Sequence, residues 1–427
     1  MQESGCIECP YHGWSFDGSS GACASVPQAK DAEAALGCRL LTLKTQERNG
    51  IVFAWAAPLY GDSTEPDEKK LSRVALDDIF NNENLKVSGT DYARDLPMDA
   101  TMLTENVLDP SHLPFTHHDT ISKRSNAKPM EFFKKKKDNS AAVDGFTFEK
   151  RNGSVCFQAP MLVVSSTDRG IESFKDWNVV YAVPSVPGKC RLYVRVVFQV
   201  DKIPQRAQRF LLKTIFERAP PFVAHLSNHR VLEDDNYFLH HANRDYALSE
   251  AKDSDSQSYD VASEAAKPGI VPRRPLFPRW RQRLYVPTSA DACVVAFRRW
   301  LDDFTLGYGP VYTPYLPLDC QDQAAPPFGQ QRHAILERTN SHTNICRSCS
   351  AAKIKLQRAS TIARSMAYVS LLASFLSSSV FPQKKLLLPV MSLLGLGAFA
   401  LHTYLDSNLL PQFDRGLYPP PRNIIKK

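Results

Sequence analysis

The sequence predicts an α+β protein that ends in a transmembrane helical hairpin. Three observations predict this fold class. Short strand-like runs and turn residues fill residues 1–60, and longer strand-like and helix-like runs follow through residues 71–338. Near the C-terminus, two uncharged apolar runs lie close together. A chain of 427 residues that is 43% apolar can bury a substantial core, and its length favours more than one domain.

The first 60 residues predict a small β domain. Residues 14–16 are strand-like and lead into Asp17–Gly18, a dipeptide typical of tight turns. Residues 50–55 are a further strand candidate. Residues 61–70 are rich in Asp, Glu, Ser and Pro, which predicts a linker to the next domain.

The second predicted domain, residues 71–338, mixes sheet and helix. Strand-like runs occupy residues 146–148, 161–165, 177–182 and 192–200. Helix-like patterning occupies residues 207–218 and 223–243.

The C-terminal tail predicts a membrane anchor in residues 361–427. Residues 366–381 are an uncharged, serine-rich apolar run of 16, and residues 386–405 are a second uncharged run of 20. About 20 apolar residues span a bilayer core, and the polar turn at 382–385 would make the two runs a hairpin. The outer flanks carry eight Lys and Arg against two in the turn, so the positive-inside bias leaves the bulk of the protein and its C-terminus on the side of synthesis. The alternative is a buried helical pair of a soluble domain.

Composition argues against two functional classes. The net charge of +7 is modest, and the basic residues are spread along the chain apart from residues 134–137, so we expect no nucleic-acid partner. Ten cysteines are too sparse for a disulfide scaffold. The two close pairs, Cys6 with Cys9 and Cys346 with Cys349, therefore favour metal or redox chemistry.

The run CPYHGWSF places Cys9 and His12 three positions apart on a tight loop. In a Rieske [2Fe–2S] cluster, one iron is held by two cysteines and the other by two histidines, and each of two loops supplies one of each. The run strongly resembles the second loop of Rieske oxygenase domains. The matching Cys-x-His loop would lie upstream, where this sequence has only eight residues before Cys9. We therefore expect an N-terminally incomplete chain with half of the cluster's ligands. A zinc-type Cys6–Cys9 pair has no matching second pair nearby.

The strongest local signal surrounds two histidines five residues apart, His112 and His117. Mononuclear Fe(II) oxygenases hold the metal with two histidines and one carboxylate. The segment from Asn106 through Asp109 to His117 resembles the Asn-x-x-Asp-x-x-His-x4-His motif of Rieske oxygenases, with every position filled. The resemblance implies that the histidines ligate iron, and that Asp109 hydrogen-bonds one of them and receives the Rieske histidine of a neighbouring subunit. His118 is an alternative to His117.

The third iron ligand is expected in the acidic segment 231–239. This segment looks like the late acidic helix of the same family, where an aspartate precedes an apolar run, and that alignment selects Asp235 over Asp234. The alternative is a solvated acidic face. Further on, residues 339–360 form a linker with a Cys-x-x-Cys pair, Cys346 and Cys349, whose thiols Arg347 and a helix N-terminus could activate for redox chemistry.

The order of these features resembles the pheophorbide a oxygenase-like Rieske oxygenases of plant and algal chloroplasts. The resemblance implies a partial β Rieske domain, a helix-grip-like catalytic domain with an antiparallel sheet, and a membrane anchor. It implies oxygenolytic ring opening of a chlorophyll-derived tetrapyrrole with O2 and ferredoxin electrons, a homotrimer, and thioredoxin as a partner of the thiol pair. The place implied is the inner envelope or thylakoid membrane, with the catalytic part on the stromal side. Alternatives are a sibling that hydroxylates protochlorophyllide or a phyllobilin, and an inactive redox-sensing membrane paralogue.

Overall fold

The structure is a computed structural model that describes most of the chain. The described residues are 5–30, 37–55, 65–82, 87–134, 142–168, 175–186, 189–199, 205–214, 218–256, 285–304, 335–380 and 387–417. The chain divides into two compact units, Met1–Glu83 and Asn84–Lys427.

The first unit is a small β structure with two short helices. Its strands are β1 (Cys6–Glu8), β2 (Ser15–Asp17), β3 (Cys23–Ser25), β4 (Thr45–Arg48) and β5 (Ile51–Ala54), and its helices are α1 (Glu68–Ala75) and α2 (Asp77–Phe80). The first three strands pair antiparallel in the order β1-β2-β3, and β4 pairs antiparallel with β5. The strands predicted at 14–16 and 50–55 correspond to β2 and β5.

Helix α1 begins inside the segment that the composition assigned to a linker. The side chain of Asp67 accepts hydrogen bonds from the main-chain N–H groups of Lys69 and Lys70, at 2.9 and 3.1 Å, and so caps the first turn. Arg48 on β4 contacts Glu68 and Asp77 at 2.7 Å each. These contacts tie both helices to the first unit, although residues from 71 onward were assigned to the second domain.

The second unit is built on a seven-stranded antiparallel sheet, counted over the described residues. Its strands are β6 (Val87–Leu96), β7 (Phe133–Lys134), β8 (Gly145–Lys150), β9 (Gly153–Gln158), β10 (Leu162–Asp168), β11 (Lys175–Val186) and β12 (Lys189–Gln199). The strand order is β6-β12-β11-β10-β9-β8-β7. The four predicted strand runs coincide with β8, β10, β11 and β12.

Seven helices accompany this sheet in the described part of the unit. They are α3 (Ala100–Leu108), α4 (Leu113–Thr116), α5 (Arg206–Lys213), α6 (Pro221–Ser256), α7 (Ala292–Phe304), α8 (Arg347–Val380) and α9 (Leu387–Tyr404). The two helices predicted from periodicity correspond to α5 and α6. One apolar cluster joins α7 to the sheet through Phe157, Phe297 and Trp300, and another joins α3 to β6 and β12 through Leu103, Tyr92 and Leu192.

Helix α6 is fixed to the unit by a buried carboxylate. Glu233 accepts hydrogen bonds from two arginines, Arg94 on β6 at 2.9 Å and Arg338 at 2.6 and 2.5 Å. All three side chains are at most 4% exposed. Two guanidinium groups that share one carboxylate leave none of these charges without a partner, which is the condition for burying them.

The chain that follows α9 returns to this ion pair. The main-chain carbonyl oxygen of Gln412 accepts a hydrogen bond from Arg338 at 2.6 Å, and Phe413 is fully buried. The N–H of Gly416 donates to Leu336 O at 2.8 Å. A Cβ at position 416 would lie 2.2 Å from Glu233 Oε2, so only glycine fits there without displacing the carboxylate.

Helices α8 and α9 pack against each other in antiparallel orientation. Ser360 lies 2.8 Å from His402 Nδ1, and Ser374 lies 2.8 Å from Ser392 near the other end of the pair. Residues 347–376 of α8 are long and apolar enough to cross a membrane by length and composition, and 17% of their most apolar window is buried. The predicted linker 339–360 is therefore not separate from the anchor, because α8 runs without a break from Arg347. The predicted turn 382–385 lies outside the described residues.

Replacing Glu233 by glutamine keeps the side-chain size and removes the charge that both guanidinium groups face. We expect Glu233→Gln to lower the free energy of unfolding by about 3–5 kcal/mol, because buried positive charge is left uncompensated. Denaturant unfolding of the detergent-solubilised protein, followed by circular dichroism, measures the change. The control is Asp95→Asn, which breaks a partly exposed pair with Arg191 and should cost about 1 kcal/mol or less. Equal losses in both variants would contradict the central role of Glu233.

Candidate metal centres

Two histidines flank the short helix α4 because the local sequence forces a sharp turn after α3. Helix α3 ends at Leu108, and the side chain of Asp109 accepts a hydrogen bond from Ser111 N at 2.9 Å, which caps a 3-10 turn, Pro110–His112. Proline at the first position of that turn has no N–H to leave unpaired. Helix α4 follows at once, so that His112 lies at its start and His117 at its end.

The side chains of His112, His117 and Asp235 converge. One ligand atom from each lies within 4.8 Å of the others. The carboxylate of Asp235 lies 3.7 Å from His112 Nε2 and 3.1 Å from His117 Nε2. Asp235 is on α6, more than a hundred residues from the histidines in sequence, so the fold and not the local motif brings these groups together.

The outer nitrogen of His112 is held by the main chain. Its Nδ1 contacts the carbonyl oxygen of Asp109. Because a carbonyl oxygen only accepts, Nδ1 carries the proton, and Nε2 presents its lone pair to the cluster. Metal-binding histidines are generally fixed in this way by a hydrogen bond from their second nitrogen.

The outer nitrogen of His117 faces a second carboxylate. Asp234 Oδ2 lies 3.5 Å from His117 Nδ1 and 3.1 Å from the hydroxyl of Thr120. Burial by itself lowers the pKa of His117, but the hydrogen bonds and negative charges of Asp234 and Asp235 outweigh it and raise the pKa to about 9. Without metal, this imidazole is therefore a cation at neutral pH, and a metal ion would replace its proton.

The donor set fits Fe(II). Two imidazole nitrogens and one carboxylate form the set that non-haem iron oxygenases use, which leaves coordination positions free for O2 and substrate. His117 is 2% exposed and Asp235 is 6% exposed, so water has little access from the side of the ligands. The acidic segment is not a solvated face, because Glu233, Asp234 and Asp235 are all buried.

The structure gives the other residues of the motif different roles. The carboxylate of Asp109 caps the turn, and its carbonyl oxygen contacts His112, whereas the sequence predicted a hydrogen bond from the carboxylate. Asn106 lies in the last turn of α3, and its main-chain oxygen accepts a hydrogen bond from Asp109 N at 3.2 Å. His118 lies outside the cluster, where its Nδ1 accepts from Arg124 N at 3.3 Å.

Cys9 and His12 lie on the turn between β1 and β2. Cys9 N donates to Trp14 O at 2.8 Å, and Gly13 N donates to Cys9 O at 2.9 Å. Gly13 has a φ of 72°, which glycine adopts without strain. The side chain of Gln28 holds the loop by donating to His12 O at 2.8 Å and accepting from Trp14 Nε1 at 3.1 Å. Within the part of the chain that the structure describes, Cys9 and His12 belong to no group of three or more potential metal ligands.

The C-terminal thiols have partners that the sequence analysis missed. Cys346 and Cys349 lie with His225 and His342, and one ligand atom from each of the four lies within 4.8 Å of the others. The hydrogen bond with Cys349, followed by the contacts with His225 and His342, holds the pKa of the Cys346 thiol well below its usual range despite partial burial. The spacing His342-x3-Cys346-x2-Cys349 was a usable signal, but His225, on α6, offers none.

Two known protein families match separate parts of this chain. A Rieske [2Fe-2S] domain model matches residues 1–44, and a pheophorbide a oxygenase model matches residues 157–252, which include Asp235. The chain is 27% identical over 374 residues to a chloroplastic pheophorbide a oxygenase of Arabidopsis thaliana and 28% identical over 369 residues to that of Oryza sativa subsp. japonica. It is 25% identical over 382 residues to a chloroplastic flavonoid 8-hydroxylase 2 of Ocimum basilicum.

Each of these three alignments covers 82% of this chain and 62% of the relative, so the chain spans about 62% of their length. Among solved structures, NdmA of Pseudomonas putida CBB5 aligns with a TM-score of 0.40 and 17% identity, over 69% of this chain and 70% of that chain.

Removing one histidine of the cluster should remove the metal. We expect His117→Ala and His112→Ala each to lose most of the iron bound to the mononuclear site, because removing one of only three protein ligands removes most of the affinity. Iron content after purification, measured by mass spectrometry, checks this. His118→Ala is the matched control and should retain its iron, and loss of iron in His118→Ala with retention in His117→Ala would exchange the two assignments.

Proposed function

We propose that this chain, a Rieske non-haem iron oxygenase related to the pheophorbide a oxygenases, holds Fe(II) between His112, His117 and Asp235 and oxygenates a chlorophyll-derived tetrapyrrole. The observation that carries the proposal is the convergence of these three side chains from two distant segments. The matches to the Rieske and pheophorbide a oxygenase models support the family, and the tetrapyrrole substrate is inferred from the relatives.

The surrounding residues prepare the site for this chemistry. Bound Fe(II) supplies O2 activation, and a [2Fe–2S] cluster that Cys9 and His12 would half ligate supplies electrons taken from ferredoxin. Asp234 orients His117, and the carbonyl oxygen of Asp109 orients His112, so both imidazoles present Nε2 to the same point. The negative charge of Asp235 offsets part of the charge of the divalent metal inside a buried site.

Electron delivery is the role that we propose for the carboxylate of Asp109. Its carbonyl oxygen contacts His112, and its side chain is half-buried on the same turn. In the homotrimer expected from the family, the Rieske histidine of a neighbouring subunit would contact this carboxylate. The electron path from the Rieske histidine to His112 would then pass through Asp109 alone, from its side chain to its carbonyl oxygen.

The hairpin of α8 and α9 would hold the enzyme at a membrane, where an apolar substrate is concentrated. The outward faces of both helices carry exposed apolar side chains, among them Phe375 at 70% and Leu393 at 69% exposure. A planar tetrapyrrole partitions into membranes, so a site held at the bilayer meets it where it is concentrated. We propose a chloroplast membrane with the catalytic unit on the stromal side, since the relatives are chloroplastic and the basic flanks favour that orientation.

The substrate assignment is tested with a form of the protein that carries both Rieske loops and both cofactors, together with reduced ferredoxin, isotopically labelled O2 and pheophorbide a. We expect a product that carries labelled oxygen and has lost the long-wavelength absorption of the closed macrocycle, because ring opening breaks its conjugation. Mass spectrometry and absorption spectra of the extracted pigment read both changes. A labelled product that keeps the closed-ring spectrum would assign a hydroxylase of the sibling type. Turnover of a flavonoid but of no tetrapyrrole would reject the substrate class, and no turnover with both cofactors loaded would favour the redox-sensing alternative.

Asp109→Asn separates electron delivery from helix capping. Asparagine is as good an N-cap as aspartate and leaves the carbonyl oxygen in place, so iron content and thermal stability should stay near the wild-type values. We expect the product formed per reduced cluster to fall by at least about tenfold, because the Rieske histidine of the neighbouring subunit would lose the charged carboxylate that it contacts. Single-turnover assays with a pre-reduced cluster measure this. Normal single-turnover yield in Asp109→Asn, together with lower stability in Asp109→Ala, would show that the carboxylate serves only as a cap.

A further inference from the structure

We propose that His225, His342, Cys346 and Cys349 form a closed zinc site that joins the catalytic unit to the membrane hairpin. His225 lies on α6, His342 on a π-helical turn, Thr339–Thr343, and the thiols lie at the start of α8. Four protein ligands of the Cys2His2 type fill a tetrahedral shell and leave no open position, which is typical of structural zinc. This site is separate from the one that holds the proposed iron.

The main chain fixes both imidazoles with their lone pairs toward the sulfur atoms. His225 Nε2 lies 2.9 Å from Asp91 O, and His342 Nδ1 contacts Ala93 O. A carbonyl oxygen can only accept, so His225 Nε2 and His342 Nδ1 carry protons, and in the neutral imidazole the lone pairs are on His225 Nδ1 and His342 Nε2, which face the sulfur atoms. This is the tautomer that a metal requires, and zinc-binding histidines generally make such an outer hydrogen bond.

The distances suit one metal ion. His225 Nδ1 lies 3.4 Å from Cys346 Sγ and 3.4 Å from Cys349 Sγ, and His342 Nε2 lies 3.3 Å from Cys349 Sγ. Zinc bonds of ≈ 2.3 Å to sulfur and ≈ 2.05 Å to nitrogen, at tetrahedral angles, place sulfur and nitrogen about 3.5 Å apart. The three nitrogen–sulfur distances therefore match those around one tetrahedral zinc ion, and all four donor atoms lie within 4.8 Å of one another.

A Rieske-type cluster also takes two cysteines and two histidines, but it does not fit here. Its cysteines bind one iron and its histidines bind the other, so the bridged core separates sulfur from nitrogen. In this structure each sulfur lies in direct contact with a histidine nitrogen. The geometry selects a single ion.

Burial and charge agree with a divalent ion. Cys349 is fully buried, His342 is 1% exposed and His225 is 7% exposed. Two thiolates neutralise Zn²⁺, so the loaded site carries no net charge into the core. The ring of Tyr92 stacks on His342 at 4.9 Å and packs edge-on against His225 at 5.5 Å, which fixes both rings further.

The site explains how α8 is attached to the catalytic unit. One ligand comes from α6, one from the π-helical turn before α8, and two from the start of α8. The two histidine ligands also hydrogen-bond to carbonyl oxygens of β6, an edge strand of the sheet as described. A metal at this point links four segments where apolar packing is limited to a small cluster around Leu226, Cys349 and Phe413. The same thiols would be unavailable to thioredoxin while zinc is bound.

Metal analysis of the intact protein, purified in detergent under reducing conditions without chelators, tests the proposal. We expect about one zinc per chain in the wild type and less than about a tenth of that in Cys349→Ser and His225→Ala, since loss of one of four ligands removes most of the affinity. Cys156→Ser, a half-buried cysteine on β9, is the matched control and should keep its zinc. His117→Ala should keep zinc and lose iron.

A second measurement covers variants that fail to fold. Native wild-type protein is alkylated with and without a zinc chelator, and peptide mass spectrometry should show Cys346 and Cys349 protected until the chelator is added. Wild-type protein without zinc, zinc retained in Cys349→Ser, iron in place of zinc at these ligands, or a Cys346–Cys349 disulfide in freshly isolated protein would each overturn the proposal.

Discussion

The structure of the second unit depends on one carboxylate, Glu233, held between Arg94 and Arg338. Successive residues of a helix point about 100° apart, so fixing Glu233 fixes the rotation of α6 about its axis. That rotation turns Asp234 and Asp235 toward the two histidines after α3, and turns His225, two turns earlier, toward β6 and the thiols. A buried ion pair adds little net stability over an apolar contact. It does select one rotation of the helix, since any other would leave charges unpaired.

Hydrogen bonds to the nitrogen that faces away from the cluster orient the histidines of both candidate metal centres. His112, His225 and His342 each contact a main-chain carbonyl oxygen with the nitrogen that faces away from the cluster, and His117 faces the carboxylate of Asp234. Carbonyl groups at an edge strand or after a helix end have no partner within their own element. An imidazole N–H satisfies such a carbonyl, and its remaining lone pair then has a fixed direction. Backbone geometry thus sets the tautomer of these ligands before any metal arrives.

The sequence predicted what local patterns can predict. Strand-like and helix-like patterning located four strands and two helices of the second unit. The absence of charge located the two apolar C-terminal runs. The pair His112 and His117 was found because both lie on one short segment, and Asp235 was selected by resemblance. His225 could not be found, since it lies 121 residues from Cys346 and shares no pattern with it. The contact between Asp109 and His112 differs from the expectation, because it is made by the carbonyl oxygen of Asp109 and not by its carboxylate, and a motif names a residue without saying which of its groups makes the contact.

The return of the chain after α9 bears on the order in which this protein can be made. Gln412 contacts Arg338 and Gly416 packs against Glu233, yet a ribosome delivers both residues after the two helices of the hairpin. The central ion pair therefore stays incomplete while the hairpin emerges, and the catalytic unit can close only when its last segment is free of the exit tunnel. Membrane insertion, where it occurs, would precede completion of the core. A helical hairpin placed inside a folding unit in this way cannot be removed as an appendage, because cutting the chain before the hairpin also removes the segment that packs onto the core.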